Sequence, residues 1–126
     1  MEILFRGRRN DGMWAHGTLH VCGDGRAYII NGTFEDARWD EINPDTASMY
    51  TGIRDKHGEM IFDGDVVHML NQRFLISWGA KNARFELHRL RFRCEDGSTK
   101  FLHTKDLPEG TVIGNRWDDP SLLQAW

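Results

Sequence analysis

The segment from Met49 to Val67, MYTGIRDKHGEMIFDGDVV, constrains this chain more than any other. Asp55-Lys56-His57-Gly58 is a tight turn in which glycine supplies the left-handed residue. Met60, Ile61 and Phe62 form a short apolar run. Asp63-Gly64-Asp65 then forces a sharp corner, and Val66 to Leu70 has the character of a buried strand. A turn, a strand, a corner and a second strand in so few residues are the backbone demands of a small β-barrel.

The remaining chain fits that expectation. Its 126 residues suffice for one domain, or for a small domain with an extension. Hydrophobic residues make up 40%, enough for one modest core, and the five Trp and seven Phe must supply much of its burial. A formal charge of −3 gives no global attraction to nucleic acid or to an anionic membrane. Cys22 and Cys94 lack CxxC spacing and are expected as reduced thiols. No run approaches the ~20 apolar residues of a membrane span. The opening MEILFRGRRN lacks the apolar stretch of a secretory signal, so a cytoplasmic protein is expected.

Turn signals divide the first third into a β-meander. Ile3 to Phe5 predicts a short strand, Arg6 to Asn10 a polar connection, Met13 to Cys22 a strand and Tyr28 to Ile30 another, punctuated by Asn10-Asp11-Gly12, Gly23-Asp24-Gly25 and Asn31-Gly32. Within residues 33–48, Thr33 to Ala37 suits a loop or a single helical turn, Asn43-Pro44-Asp45 breaks whatever precedes it, and Thr46 to Tyr50 leads into the Met49 to Val67 segment. Phe74, Ile76 and Trp78 alternate with polar residues as in a half-buried strand. Phe85 and Leu87 are out of phase with Leu90 and Phe92, which predicts a bulge or a turn near His88-Arg89. Asp96-Gly97-Ser98 predicts a hairpin, Phe101 and Leu102 continue a sheet, and Thr111 to Ile113 predicts the last strand. Asp118 or Asp119 caps a short C-terminal helix with Pro120 at its first position and Leu122, Leu123 and Trp126 on its apolar face.

Three segments, FRGRRNDGMWAHGTL (Phe5 to Leu19), PDTASMYTGIRDKHGEMIFDGDVV (Pro44 to Val67) and VIGNRWDDPSLL (Val112 to Leu123), occur in an order that closely resembles the YopX family of small bacteriophage and prophage proteins. The resemblance implies a β-rich fold with an SH3-like barrel around the Gly-Asp-Val-Val strand, self-association into a homo-oligomer, and residence in a bacterial host cell. The motifs that carry it are turn glycines and aspartates and core aromatics, so it supplies no catalytic residue. The chain departs from the family pattern at Val21 to Asn43 and at Gly79 to Lys105. The expected fold is therefore all-β: an N-terminal meander and connecting segment over residues 1–48, and an SH3-like small barrel with a short C-terminal helix over residues 49–126.

Catalytic patterns are weak. There is no G-x-S-x-G elbow, and neither cysteine has a flanking cation with helix-terminus context to activate it. His16, His20 and Cys22 share parity, but residues four apart on a strand are separated by ~13 Å, too far to ligate one ion, so no metal or cofactor is expected. Asp63 and Asp65 flank Gly64, and turn chemistry explains them more simply than acid–base catalysis. A non-enzymatic binding protein is expected. Arg26, Arg54 and Arg116 sit beside turns, and Trp14, Tyr28, Trp78 and Trp117 cannot all be central in so small a core. Arginine forks bind phosphates and aromatic faces stack on bases, so these seven residues are candidates for a nucleotide-like ligand, such as a host signal that an infecting phage would sequester. Blocking a host defence protein would need no such pocket. The alternative is a single-stranded nucleic-acid binder using Arg89, Arg91 and Arg93 on one strand face with Lys81 and Arg84 nearby, a patch diluted by Glu86, Glu95 and Asp96. A purely structural or interaction role is the second alternative.

Overall fold

A computed structural model describes residues 4–33, 35–90 and 103–124. The chain is β-rich with antiparallel sheets, and its only helical elements among the described residues are short 3-10 turns. It divides into two compact units, Met1–Gly52 and Ile53–Trp126.

In the first unit, β1 (Phe5–Arg8), β2 (Trp14–Val21), β3 (Ala27–Asn31), β4 (Arg38–Ile42) and the start of β5 (Ser48–Arg54) follow the order β4-β3-β2-β1-β5. The Asn10-Asp11-Gly12 and Gly23-Asp24-Gly25 turns close the first two hairpins, where Asp11 and Asp24 carboxylates each accept a hydrogen bond from the backbone N–H two residues on. β2 changes partner midway. Trp14 to Gly17 pair with β1, and Thr18 to Val21 pair with β3. A Cβ at Gly17 would strike the Ile30 carbonyl oxygen, so glycine permits the close crossing at the switch. Odd-numbered side chains of β2 and β3 face a small core of Ala15, Ala27 and Ile29, completed by Ile42 of β4 opposite Ala27, with Phe5, Leu19 and Ala47 packed against it. One bridge, Arg9 to Ile42, brings the end of β4 back to the end of β1.

Two sequence expectations change here. The first strand, Phe5–Arg8, runs through residues expected as a polar connection (Ile3 of the expected strand lies outside the described residues), because Arg6 is accommodated inside: it is 7% exposed, donates from Nε to Ser48 Oγ at 3.1 Å and lies 4.6 Å from the Trp14 ring centroid. Residues 33–48 contain β4 as well as a 3-10 turn at Pro44–Thr46, capped by the Asn43 side chain. β4 escapes a hydrophobicity reading because Ile42 is its only buried residue.

In the second unit, the end of β5 leads through the Asp55–Gly58 turn into β6 (Met60–Phe62). A four-stranded sheet follows in the order β10-β7-β8-β9, from β7 (Asp65–Met69), β8 (Gln72–Gly79), β9 (Arg84–Arg89) and β10 (Thr111–Asn115). Its core is Ile61, Val67, Met69, Phe74, Ile76 and Leu107, the last supplied by the 3-10 segment Thr104–Glu109. Alternation of Phe74 and Ile76 puts both in this core, while Trp78 at the strand's end is 42% exposed and packs edge-on against Phe85. β8 and β9 remain in unbroken register from Gly79–Arg84 to Phe74–Arg89, so no bulge interrupts them, and β9 ends at Arg89, where a bulge or turn was expected. The register shift lies instead between Val112 and Gly114 on β10. The expected short C-terminal helix is a single 3-10 turn, Pro120–Leu123, and Asp119 occupies its cap position, its carboxylate accepting from Ser121 Oγ rather than from a backbone N–H of the turn. Trp126, the Asp96-Gly97-Ser98 hairpin and Phe101-Leu102 lie outside the described residues. The sheets are open among the described residues, and no closed barrel is seen there.

The Asp63-Gly64-Asp65 corner is tied on every side. Asp65 is 1% exposed and its Oδ2 accepts from Phe62 N–H at 2.7 Å. Gly64 N–H donates to Ile76 O, and its carbonyl accepts from Arg116 N–H. Gly64 has φ +88°, and the Trp117 ring fills the space a Cβ would need.

Candidate functional site

The partner switch in β2 leaves an opening in the first unit. β3 pairs with β2 only as far as Thr18, so beyond it the His16 carbonyl has no strand opposite. Asn31 fills that role, donating from Nδ2 to His16 O at 2.9 Å. Around this junction lies a cleft of about 390 Å³ lined by Arg9, Trp14, His16, Asn31, Arg38 and Asp40, with Ala15 and Gly32 beneath. Its size falls at the lower end of small-molecule pockets, which span ~300–1,000 Å³.

Charges in the cleft are interlocked. Arg38 Nε lies 3.1 Å from Asp40 Oδ1, and Arg9 Nη1 lies 3.9 Å from the same oxygen. Arg9 Nη2 also meets Asp11 Oδ2 at 2.8 Å. Burial, reinforced by the neighbouring Arg6 guanidinium, pulls the His16 imidazole below its ordinary pKa. His16 is therefore neutral near pH 7 and both donates and accepts hydrogen bonds. The Trp14 ring adds a flat apolar wall. Two guanidinium forks, an aromatic wall and a neutral imidazole suit a ligand that carries a planar ring and an acceptor-rich group.

Trp14 is the one residue expected to bind a ligand that lines this cleft. Arg26 stands at the β2–β3 turn beside Asp24, and Tyr28 lies on the outward face of β3 against Trp39. Arg54, Trp78, Arg116 and Trp117 belong to the second unit. Arg54 donates to Gly58 O and braces its turn. Trp78, Arg116 and Trp117 converge on the Asp63-Gly64 corner, but through scaffold contacts: Trp78 N–H reaches Asp63 Oδ1, Arg116 N–H reaches Gly64 O, and the Trp117 ring covers Gly64. The Arg116 guanidinium sits 5.9 Å from the Trp117 centroid. Of the seven candidates, Trp14 alone lines this cleft, and the other six stand elsewhere in the two units.

Of the proposed basic stripe and its neighbours, the described residues include Arg89, Arg84 and Lys81. Arg84 and Arg89 stand at opposite ends of β9 and on opposite faces, and Lys81 occupies the preceding turn. Arg91 and Arg93 lie outside the described residues. His16 and His20 serve different surroundings, the cleft and the Trp39 ring, and among the described residues no three metal-ligating side chains gather. On the outward face of β8 and β9, His88 Nε2 lies 2.8 Å from Ser77 Oγ and 3.7 Å from Glu86 Oε2. A serine–histidine–acid triad requires the carboxylate on the other ring nitrogen, so this trio lacks the orienting bond.

Sequence reasoning passed over Arg9, Asn31, Arg38 and Asp40. The only available signal was Arg38-Trp39-Asp40, alternating charge and aromatic in a segment without apolar periodicity. No helix among the described residues is long and apolar enough to cross a membrane.

The YopX protein family profile matches residues 8–124. The chain belongs to the YopX family. No curated protein matches it. A solved structure, protein EF1440 from Enterococcus faecalis, is similar at 19% identity over 98% of this chain and 99% of that one, with a TM-score of 0.57. At that identity the likeness speaks for the fold alone.

Proposed function

We propose that this YopX-family protein acts by binding, and that the first unit's cleft holds a nucleotide-like small molecule. The observation that carries this is the convergence of Arg9, Arg38, Trp14, His16 and Asn31 around one cleft. Stacking on Trp14 and fork-like bonding from the arginines would supply affinity without any reacting group. In an infected bacterial cell, such a protein would sequester a nucleotide-derived host signal by mass action alone. Blocking a host defence protein is the competing role, and it does not need the cleft.

The second unit is read as an SH3-like scaffold, a reading supported by the tied Asp63–Asp65 corner leading into β7. Self-association is supported by β4, an outer strand of the first sheet that carries Trp39 at 54% exposure. The single-strand reading rests on Arg89, Arg91 and Arg93, of which Arg89 alone lies among the described residues.

The test is a thermal-shift and calorimetric screen with nucleosides, mononucleotides and cyclic nucleotides, repeated on Arg38→Ala. The Arg38 side chain is 65% exposed, so the variant keeps the fold. Binding by wild type that weakens about tenfold in the variant supports the reading, as a charge-assisted hydrogen bond is worth ~1.5–3 kcal/mol. Binding that Arg38→Ala leaves untouched would place the ligand elsewhere.

A further inference from the structure

The charge balance of the cleft narrows its ligand. Arg9 and Arg38 contribute two positive charges, the Arg6 guanidinium beside His16 and Trp14 a third, and Asp40 removes one. Asp11, at 2.8 Å from Arg9, offsets another, which leaves a balance suited to a single negative charge. A triphosphate brought here would gain from two guanidiniums already committed to carboxylates and would meet the Asp40 charge directly.

From this geometry we infer that the cleft selects a neutral or singly charged ring compound, a nucleoside or a mononucleotide whose phosphate is a diester, and discriminates against polyphosphates. This rests on the ligand-binding reading above. Asp40 is its specificity-determining residue. It holds Arg38 and Arg9 toward the cleft while cancelling the charge that would attract a polyanion. Asn31 contributes in the same sense: its Nδ2 is committed to His16 O, which fixes the amide so that its oxygen acts as an acceptor for a ring N–H or a ribose hydroxyl. His16, neutral at pH 7, adds a donor or acceptor and no charge. A cleft of about 390 Å³ suits one nucleoside unit.

Isothermal titration with three probe sets settles this: the four nucleosides, the four 3′,5′-cyclic mononucleotides and the four nucleoside triphosphates, each at low and high salt. Wild type is expected to bind at least one member of the first two sets, and to bind its triphosphate at least tenfold more weakly. Asp40→Asn keeps the shape and removes the charge. It is expected to improve triphosphate binding about tenfold at low salt, with a smaller change for the nucleoside, since one charge pair at ~4 Å in water is worth ~1 kcal/mol and a triphosphate carries several. Equal or tighter triphosphate binding by wild type overturns the inference while the ligand-binding reading stands, and so does an Asp40→Asn variant with unchanged discrimination. Absence of binding by every probe at millimolar concentration overturns both.

Discussion

Replacing Asp55 by Asn isolates one oxygen atom's contribution to the second unit. Asp55 is 6% exposed and accepts three backbone N–H bonds. Oδ1 receives His57 N–H at 2.8 Å and Glu59 N–H at 2.9 Å, closing the β5–β6 turn. Oδ2 receives Val112 N–H at 2.9 Å, fastening β10 to that turn across 57 residues of sequence. Asparagine retains the first two acceptances but points an amide N–H₂ at the Val112 donor. One charge-assisted bond is worth ~1.5–3 kcal/mol, so Asp55→Asn should cost about 2 kcal/mol, and Asp55→Ala, which loses all three, about 4 kcal/mol. In a urea titration with a slope of ~1.5 kcal/mol/M, the first loss moves the midpoint down by about 1.3 M at constant slope. The pH dependence gives a second readout. Burial pushes the Asp55 carboxyl up, but the bonds from Val112, Glu59 and His57, together with the His57 charge, outweigh it and hold the carboxyl below its ordinary value. A folded pKa below the unfolded one gives stability that is fully present above ~3.9 and is lost as pH falls through the lower folded value. Wild type should therefore shed stability below about pH 4 by an increment that Asp55→Asn lacks. An Asn variant within about 0.5 kcal/mol of wild type, with the same acid limb, would refute the reasoning.

Two further substitutions probe the backbone. Gly64→Ala places a methyl group against the Trp117 ring at φ +88°, and should destabilise by about 3 kcal/mol, seen as a lower unfolding midpoint with altered tryptophan fluorescence. Leu70 and Asn71 both have left-handed φ, +54° and +59°, at the β7–β8 turn, and Leu70 is 65% exposed. Leu70→Asn suits that two-residue turn better and should stabilise by about 0.5–1 kcal/mol, measured as a higher midpoint.

The strands with clear turn chemistry were legible in the sequence. β2, β3, β7 and β8 are each flanked by Asn, Asp or Gly; β8 adds apolar residues with period 2, and β7 a short apolar run that is buried on both faces. β1 was misread at Arg6 because a buried arginine does not look apolar: Arg6 is held by Trp14 across the hairpin and by Ser48, 42 residues on. β4 was missed because four of its five residues are polar or exposed. The cleft was the least legible feature. Arg9, His16, Asn31 and Asp40 come from four separate segments, and only the partner switch at Gly17 brings them together. His16 drew notice for metal chemistry, a role that its position at a strand junction does not suggest.

The two cores are unequal. Two alanines and two isoleucines are all that the first unit fully buries of its apolar side chains among the described residues, against six larger ones in the second unit's cluster. Amide protons of β2 and β3 should therefore exchange with deuterium sooner than those of β7 and β8. Occupying the cleft would then act as a brace for the lighter half of the molecule, and slowed exchange along β2 would report a bound guest even where heat release is too small to measure.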